Sequence, residues 1–324
     1  MSAPRRLPLS RHMVDGSPVY WDGRRKITRA REIARLNALA IPPAWTDVEI
    51  ARTSRSAVLA RGVDAAGRTQ AIYSPAHWRK QEKAKYARVL RFAQRLPRLR
   101  KQVDHDLRRR RLGEDRVIAC IVALIDQEFF RVGGAEYARK HRHYGVTTLR
   151  RKHTRIAAGT VTFDFIGKNG RRHIKSVRDP RIVRVVEQLQ EMPGYELFRF
   201  FDDDGNLHDI DSRRVNAYVK RHMGEEFSAK DFRTWGGTLL TASAMLAAES
   251  GDDQTNLRDI VTGVAERLGN TPAVTQESYI DPRVLAAFED SSTIARLRHA
   301  MSRMTPKAYL SVEEQCVLRL LRQR

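Results

Sequence analysis

The pattern of apolar residues changes close to residue 82, and this change limits the possible folds more than any other feature of the chain. Before it, short alternating runs are separated by turn sequences, as in antiparallel strands. These runs lie at 48–51, 57–61 and 69–73. After Ser74-Pro75 come long stretches rich in Arg, Lys, Ala and Leu, which indicate helices.

We therefore predict an α+β fold with two domains, for which 324 residues are sufficient. Residues 1–82 are expected to form a small N-terminal domain with an antiparallel β-sheet and helices. Residues 83–324 are expected to form a larger, mostly α-helical domain that carries β-hairpins. Its predicted elements include helices at 180–192 and 212–223 and a hairpin around 202–206.

Two basic residues of the second domain are expected at the ends of structural elements. The apolar stretch 117–130 predicts a buried helix that ends just before Arg131. Alternating apolar residues at 161–165 are followed by Gly167-Lys168-Asn169-Gly170, in which Asn-Gly favours the positive φ of a tight turn. Lys168 is therefore predicted at the tip of a β-hairpin.

The chain is strongly basic. Lys and Arg total 60 against 38 Asp and Glu, a net charge of +22, which favours a polyanionic partner, most simply nucleic acid. Four consecutive arginines are predicted to lie in a helix, either as a solvated face or as part of a phosphate-facing rim. They are Arg108, Arg109, Arg110 and Arg111.

The two cysteines, Cys120 and Cys316, are too few for a disulfide framework or a zinc site, and a reducing cytosol fits this usage. The first 16 residues lack an apolar signal core, and the longest apolar run, 117–125, is too short to span a bilayer. We expect a cytoplasmic protein with no membrane insertion.

Two competing sites fit the sequence poorly. A P-loop around Lys168 would need glycine at position 162 and Ser or Thr at 169, where this chain has Thr162 and Asn169. His141, His143 and His153 lack the spacing of a metalloprotease site, and their basic surroundings oppose a metal cation. We expect no cofactor and no metal ion.

An acidic cluster could suggest a magnesium site, but its sequence context favours structure. Residues 202–204 are three aspartates at an Asp-Gly turn, and Asp209 and Asp211 precede a predicted helix that Asp211 or Ser212 can cap. We interpret these carboxylates as turn and cap residues.

The stretch 227–279 carries the residues with the most distinctive chemistry. It places Arg233 early in a predicted helix and Tyr279 at its end. Without a cofactor, the common covalent chemistry of a phenol is attack on an electrophile such as phosphorus, which nearby cations assist by stabilising the developing charge. Phe-Arg233-Thr-Trp-Gly-Gly-Thr, Leu-Gly-Asn270-Thr-Pro and Ser-Tyr279-Ile are its motifs.

Together with Phe-Phe-Arg131-Val-Gly and Ile-Gly-Lys168-Asn-Gly, these motifs resemble the catalytic core of the type IB DNA topoisomerases, in the small poxvirus-like branch found in bacteria. The resemblance covers roughly residues 70–280. It implies that the helical domain is a catalytic domain of the kind shared by type IB topoisomerases and tyrosine recombinases.

The resemblance also implies a role for each matching residue. Tyr279 is the expected nucleophile, Arg131 and Arg233 bind the phosphate, and Lys168 protonates the departing 5′ oxygen. Asn270 stands where relatives usually carry histidine; an amide still donates a hydrogen bond but never becomes charged. Tyr137 matches a position that contacts phosphate, and we also expect Tyr73 to face DNA.

Four of these residues also have a structural interpretation. Lys168 resembles a solvated turn lysine, Asn270 lies in a helix-stop sequence, and Tyr279 resembles a tyrosine at the edge of a core. Tyr73, at the end of a predicted strand, resembles a half-buried packing residue.

The resemblance predicts relaxation of supercoiled duplex DNA through a 3′-phosphotyrosyl intermediate, without ATP or metal. The protein would act as a monomer that forms a clamp around DNA, with residues 1–82 as the clamp domain, and would associate with the nucleoid. One alternative is a tyrosine recombinase, although these usually have His-x-x-Arg where this chain has Lys230-Asp-Phe-Arg233. A non-catalytic basic DNA-binding protein is the other.

Overall fold

A computed structural model describes residues 6–248 and 257–322. The chain divides into two compact units, residues 1–86 and 87–324. The division lies within one long helix, α2 (Pro75–Leu107), which also contains the predicted boundary at residue 82. The roles of clamp domain and catalytic domain stay predictions.

An antiparallel sheet forms the first unit. Its strands are β1 (Leu9–Val14), β2 (Ser17–Asp22), β3 (Arg25–Lys26), β4 (Thr46–Ile50), β5 (Val58–Val63) and β6 (Thr69–Tyr73). They are ordered β3-β2-β1-β4-β5-β6. Helix α1 (Ala30–Asn37) buries Leu36 against a core that includes Leu9, Tyr20 and Ile50. The predicted sheet is confirmed here.

Strand β1 was not predicted, although its turn carries a recognisable signal. Asp15 and Gly16 both have positive φ, as a tight turn that joins β1 to β2 requires. The two inward side chains of β1 are Leu9 and the buried Arg11, which donates hydrogen bonds to the carbonyls of Ile41, Pro42 and Trp45. A charged inward residue hides the usual alternation of apolar and polar residues.

The second unit is mostly helical. Besides the C-terminal part of α2, its helices are α3 (Glu114–Glu128), α4 (Ala135–His141), α5 (Pro180–Glu191), α6 (Ser212–Met223), α7 (Ala229–Ala247), α8 (Leu257–Leu268), α9 (Pro272–Tyr279), α10 (Pro282–Phe288), α11 (Ser291–Met301) and α12 (Val312–Arg322). Helix α3 is buried from Arg116 to Ile125, as its apolar run predicts. Along residues 6–248 and 257–322, every helix is too short or too polar to cross a membrane.

Two small antiparallel sheets interrupt these helices. The strands β7 (Thr154–Ala157), β8 (Thr160–Ile166) and β9 (Arg172–Val177) form one sheet, and β10 (Arg199–Phe201) pairs with β11 (Leu207–Asp209). Both hairpins are at the predicted positions, and β7 is an addition. Asn169 and Gly170 have φ values of 63° and 72°, which confirms the Asn-Gly turn.

The arginine run was wrongly predicted to lie in a helix. Helix α2 ends at Leu107, and 108–111 form a turn and an irregular segment after it. The buried side chain of Arg116 donates to the carbonyls of Leu107 and Arg110. These bonds satisfy carbonyl groups that a longer helix would have used, and so stabilise the end of α2.

Candidate active site

Arg131 lies three residues beyond Glu128, the last residue of helix α3, which ends sharply. Phe129 adopts the left-handed conformation, with φ of 54°, and its N–H closes the last turn on the carbonyl of Ile125. The Nη2 atom of Arg131 donates to the carbonyl of Gly269 at 2.9 Å and to Oδ1 of Asn270 at 2.6 Å. The predicted delivery of Arg131 by the end of the apolar helix is confirmed.

Arg233 is the most deeply buried cation of the group, with 5% of its surface exposed. It lies on α7, and its Nη1 donates to the carbonyl of Phe129 at 2.6 Å while Nη2 donates to that of Leu268 at 2.7 Å. Its Nε is buried and has no hydrogen-bond partner among the described residues. Burial lowers the pKa of Arg233, and burial together with the charge of Arg233 lowers the pKa of Arg131 to about 10.

Tyr279 is the last residue of α9 and lies against Arg233. The guanidinium carbon of Arg233 is 5.2 Å from the centre of the Tyr279 ring. Burial of the phenol opposes its ionisation, but the charge of Arg233, a hydrogen bond with Arg233 and the charges of Arg131 and Lys230 outweigh burial, so that the pKa of Tyr279 lies below its ordinary value. The site therefore stabilises the phenolate form of Tyr279, relative to the neutral phenol, more than water does.

The Gly-Gly pair of α7 explains how closely these elements pack. A Cβ atom at Gly236 would lie 2.3 Å from the ring of Phe129, and one at Gly237 would lie 2.5 Å from the carbonyl oxygen of Tyr279. Any larger residue would separate α7 from the end of α3 or from α9. These glycines keep Arg233 close to both Arg131 and Tyr279.

Asn270 lies in the connection between α8 and α9. Gly269, with φ of 64°, ends α8: its N–H bonds to the carbonyl of Glu266, and the N–H of Asn270 bonds to that of Ala265. This is a Schellman motif. Thr271 then caps α9 by accepting from the N–H of Val274. The predicted helix stop is confirmed.

The side chain of Asn270 faces the arginines. Its Oδ1 accepts the hydrogen bond from Arg131, whereas its Nδ2 is buried without a partner in the part of the chain that the structure describes. An amide NH₂ that is buried and unpaired is costly unless a ligand accepts from it. The donor that the sequence assigned to this position is therefore available.

Lys168 lies in the turn between β8 and β9 and is exposed. It nevertheless lines a small cavity that Arg131 and Arg233 also line. The turn is fixed by a 2.7 Å bond from the N–H of Gly167 to the carbonyl of Arg171. The structure thus brings all five predicted catalytic residues into one cluster, through cavity lining for Lys168 and direct contacts for the others.

Two residues of β9 belong to this cluster but were not predicted. His173 and Lys175 are each 9% exposed and line the same cavity. The ring of His173 fills the space beside Gly167 and Gly269, and burial together with Lys175 lowers its pKa to about 4. The signal in the sequence was their spacing of two in a predicted strand, which puts both on one face.

The predicted DNA contacts are more scattered. Tyr137, on α4, is 43% exposed and packs near His141 and His143. Tyr73, in the first unit, is 40% exposed and stacks on His77 at 5.1 Å.

Three of the four arginines after α2 have acidic partners. Arg108 pairs with Asp104, Arg109 pairs with Asp106 and Asp115, and Arg111 pairs with Asp203. None of these partners belongs to the cluster of predicted catalytic residues, and a role of the run in DNA binding stays a prediction.

Two aspartates of the acidic cluster, Asp202 and Asp211, act as structural residues. Asp202 accepts from the N–H groups of Asp204 and Asn206 and from the ring of His208, and Asp211 caps α6. This confirms their interpretation as turn and cap residues.

Family comparisons define the class of protein first. Residues 74–305 match the model of the catalytic core of eukaryotic DNA topoisomerase I. Residues 19–64 match the model of the N-terminal domain of bacterial DNA topoisomerase IB. The two matches together cover most of both units and place the chain among the DNA topoisomerases, which are isomerases.

Individual relatives narrow the class. DNA topoisomerase 1B of Acanthamoeba polyphaga mimivirus is 32% identical over 283 residues, 84% of this chain and 84% of that protein. DNA topoisomerase 1 of Mycosarcoma maydis is 25% identical over 199 residues, 51% of this chain but 19% of that longer protein. The chain belongs to the type IB DNA topoisomerase family, which confirms the predicted family, fold class and enzyme class.

Proposed function

We propose that the protein relaxes supercoiled duplex DNA by breaking and rejoining one strand through Tyr279, without ATP or a metal ion. The observation that carries the proposal is the position of the Tyr279 ring, 5.2 Å from the guanidinium of Arg233 in a cluster with Arg131 and Asn270. The cluster supplies a nucleophile, two permanent cations and an amide donor. These are groups that accelerate cleavage of a phosphodiester.

The first step is attack of Tyr279 Oη on a backbone phosphorus. A bond forms between phosphorus and the tyrosine oxygen, and the bond from phosphorus to the 5′ oxygen breaks. The phenol loses its proton to solvent, which its lowered pKa favours. The departing 5′ oxygen takes a proton from Lys168 and leaves as a hydroxyl.

Charge stabilisation comes from donors that are already oriented. Each terminal nitrogen of Arg233 donates to a backbone carbonyl, which orients the guanidinium, and its Nε is a further donor that a phosphate oxygen can accept from. Nδ2 of Asn270 is the second unpaired donor. Because both groups are buried before DNA binds, little reorganisation is needed when charge develops on the phosphate.

Rejoining follows from the chemistry of the intermediate. The phosphotyrosyl ester retains the energy of the broken bond, so attack by the 5′ hydroxyl restores the strand without an external energy source. Rotation of the free end before rejoining would change the linking number. This sequence needs no nucleotide hydrolysis.

The test is relaxation of negatively supercoiled plasmid in buffer with EDTA. Tyr279→Phe removes one oxygen and should abolish relaxation while the protein still folds and binds DNA. Tyr195→Phe is the matched control, since Tyr195 is 83% exposed and distant in sequence from the cluster. Relaxation by Tyr279→Phe at the wild-type rate, or a requirement for metal, would refute the proposal.

We also propose that the protein acts as a monomer whose two units clamp duplex DNA at the nucleoid in the cytoplasm. The net charge of +22 supports a polyanionic partner, and exposed Tyr73 and Tyr137 are available for contact. Sedimentation with a short duplex tests the stoichiometry, for which one protein per duplex is expected. Two or more copies per short duplex would favour the recombinase alternative.

A further inference from the structure

Three cations connect the C-terminal ends of α3 and α8. Lys175 donates to the carbonyl of Glu128 at 2.5 Å and to that of Arg267 at 3.3 Å. One residue further along both helix ends, Arg233 donates to the carbonyls of Phe129 and Leu268. One further residue along the chain after α8, Arg131 reaches the carbonyl of Gly269. The three cations thus bind successive carbonyls at these two ends.

This arrangement explains how three positive charges share one small site. The C-terminal end of a helix carries a partial negative charge from its unsatisfied carbonyls. Two such ends meet here, so that each cation is held by carbonyl oxygens and not by a carboxylate at hydrogen-bond distance. The carboxylate of Glu128 is 3.9 Å from Nζ of Lys175. The positive charge therefore stays available to a phosphate.

We propose that Lys175 is a positioning residue for the cleavage reaction: its ammonium ties the end of α3 to the end of α8 and so sets the distance between Arg131, Arg233 and Asn270. This inference rests on the proposed function. Lys175 lies on β9, seven positions after Lys168, so the same hairpin that carries the expected acid also holds the two helix ends together.

Burying the charge of Lys175 costs free energy, so the presence of a lysine at this position needs an explanation. It is 9% exposed, and desolvation together with the neighbouring arginines lowers its pKa to about 8. Replacing a buried ion pair by apolar residues of similar size is often neutral or stabilising, so the stability of the fold does not by itself account for a buried charge. Retention of the ammonium is therefore explained by what the charge does at the site.

The experiment measures covalent adduct formation by saturating, prebound enzyme on an end-labelled duplex, stopped with detergent. Lys175→Met removes the donor to the carbonyls of Glu128 and Arg267 and is expected to be less stable than the wild type. The folded variant should form adduct at least about tenfold more slowly, because the phosphate donors are misplaced. The dissociation constant for duplex DNA should change by less than about threefold, since most phosphate contacts lie elsewhere. Lys175→Arg, which keeps the charge and the donors, should restore most of the rate.

A matched control is Arg116→Met. Arg116 is also a buried cation, 4% exposed, that donates to two backbone carbonyls at the end of a helix, but those carbonyls belong to Leu107 and Arg110. Its loss is expected to change stability and to leave the cleavage rate of the folded enzyme unchanged. Equal rate losses in both variants would show that any buried cation has this effect and would overturn the proposal.

A substrate with sulfur in place of the 5′ bridging oxygen separates positioning from proton donation. Sulfur leaves without a proton, so it should not preferentially rescue Lys175→Met. Preferential rescue would make Lys175 an acid and overturn the positioning role. If Lys175→Met fails to fold, Lys175→Gln, which keeps the donors but not the charge, takes its place and is expected to be slow.

The pH dependence gives a further readout. Above about pH 8 Lys175 in the free enzyme loses its proton, so the ratio of wild-type to Lys175→Arg cleavage rates should fall when these rates are measured at subsaturating enzyme, where they report the free enzyme. The charged or titratable groups that face Lys175 from the surrounding elements are Glu128, Arg131, His173, Arg233 and Arg267. A ratio that stays constant up to pH ~10, near the ordinary lysine pKa, would overturn the role of the charge.

Two failures are distinguishable. Absence of adduct with the wild-type enzyme would contradict the proposed function itself. Adduct formation at equal rates by wild type and Lys175→Met would contradict the role of Lys175 and leave the proposed function intact.

Discussion

Arg233 and Asn270 each keep one buried N–H donor without a partner among the described residues, although their other polar atoms are bonded. Native proteins rarely leave buried donors unpaired, because each costs about 1–3 kcal/mol. At the residue scale, these two donors are the ones that the proposed function assigns to an anion bound between Arg233, Asn270 and Tyr279. A DNA phosphate has the required charge and oxygens.

Lys168 provides a prediction at this scale. Lys168→Ala should strongly slow cleavage of ordinary DNA, because the 5′ oxygen then leaves without a proton. A 5′ bridging sulfur should recover much of the lost rate, as measured by single-turnover adduct formation. Lys101→Ala, at an exposed lysine of α2, is the control and should behave as wild type on both substrates.

If sulfur gave Lys168→Ala no more acceleration than it gave the wild type, Lys168 would not be the acid. Lys175, the other lysine of the cavity, would then be the next residue to examine with the same substrates.

Tyr279 provides a second prediction, on pH. An unperturbed tyrosine ionises at about pH 10, and the pKa of Tyr279 is lowered by Arg233, Arg131 and Lys230 against the opposing effect of burial. Because the folded state binds this proton less tightly than the unfolded chain, ionisation of Tyr279 adds stability as pH rises from the lowered pKa towards about 10.

The measurement is ultraviolet difference titration of wild type against Tyr279→Phe. The difference should show one phenolate that forms at a lower pH than free tyrosine. A phenol that ionises at or above the pH of free tyrosine would mean that burial dominates over the arginines.

At the scale of elements, the site depends on how two helices end. Gly269 ends α8 with a positive φ, and the ring of His173 occupies the position next to its α-carbon, 2.1 Å from where a Cβ would lie. The same turn places Asn270 beside Arg131. Changes to this turn should therefore affect both stability and cleavage.

The Gly269→Ala variant tests the importance of this turn, with Gly263→Ala inside helix α8 as its control. Gly269→Ala should destabilise the protein by at least about 1 kcal/mol through its backbone conformation alone and should also slow cleavage. A methyl group at Gly263 would meet no described atom within 4 Å, so Gly263→Ala should stabilise by about 0.5–1 kcal/mol. Urea unfolding measures both, and a Gly269→Ala protein as stable as Gly263→Ala would contradict the account.

How well a helix or strand could be predicted from the sequence depends on which of its side chains are buried. Helices with apolar periodicity or clear caps, such as α3 and α6, were predicted closely. On β9 the usual rule is reversed, because Ile174 is 63% exposed while His173 and Lys175 are buried. The polar side chains of β9 are buried where they line the site. Neither the hydrophobic periodicity nor the strand propensity of the sequence indicates this.

The residues predicted to be catalytic were easier to find in the sequence than the contacts that hold them in place. The motifs around Arg131, Lys168, Arg233, Asn270 and Tyr279 are local and ordered along the chain. The contacts that hold them depend on carbonyl groups at helix ends, which every residue has and no sequence motif reveals. The same reason explains the error at the arginine run, where buried Arg116 binds the carbonyl of Leu107.

At the scale of the whole molecule, we expect the net charge of +22 to affect DNA binding more than the rate of the cleavage step. Each phosphate contact contributes about 0.9 to the slope of log affinity against log salt, so DNA binding should weaken steeply as salt rises. At low salt, release should limit turnover and relaxation should be processive. At higher salt, relaxation should become distributive before it fails.

Single-turnover cleavage by prebound enzyme should depend less on salt, because Arg233 is buried and screening is weak at such a site. Plasmid relaxation, duplex binding and cleavage are measured across one salt series. A cleavage rate that fell as steeply as affinity would mean that the catalytic cations are screened like surface charges.

The most direct test of the account is identification of the residue that becomes linked to DNA. Wild-type enzyme is stopped with detergent on a labelled duplex, digested with trypsin and nuclease, and the modified peptide is sequenced by mass spectrometry. The account predicts a phosphotyrosyl bond at Tyr279 to the 3′ side of the break, with a free 5′ hydroxyl on the other end. A link at another residue, a 5′ attachment, or no covalent product under conditions in which plasmid is relaxed would contradict it.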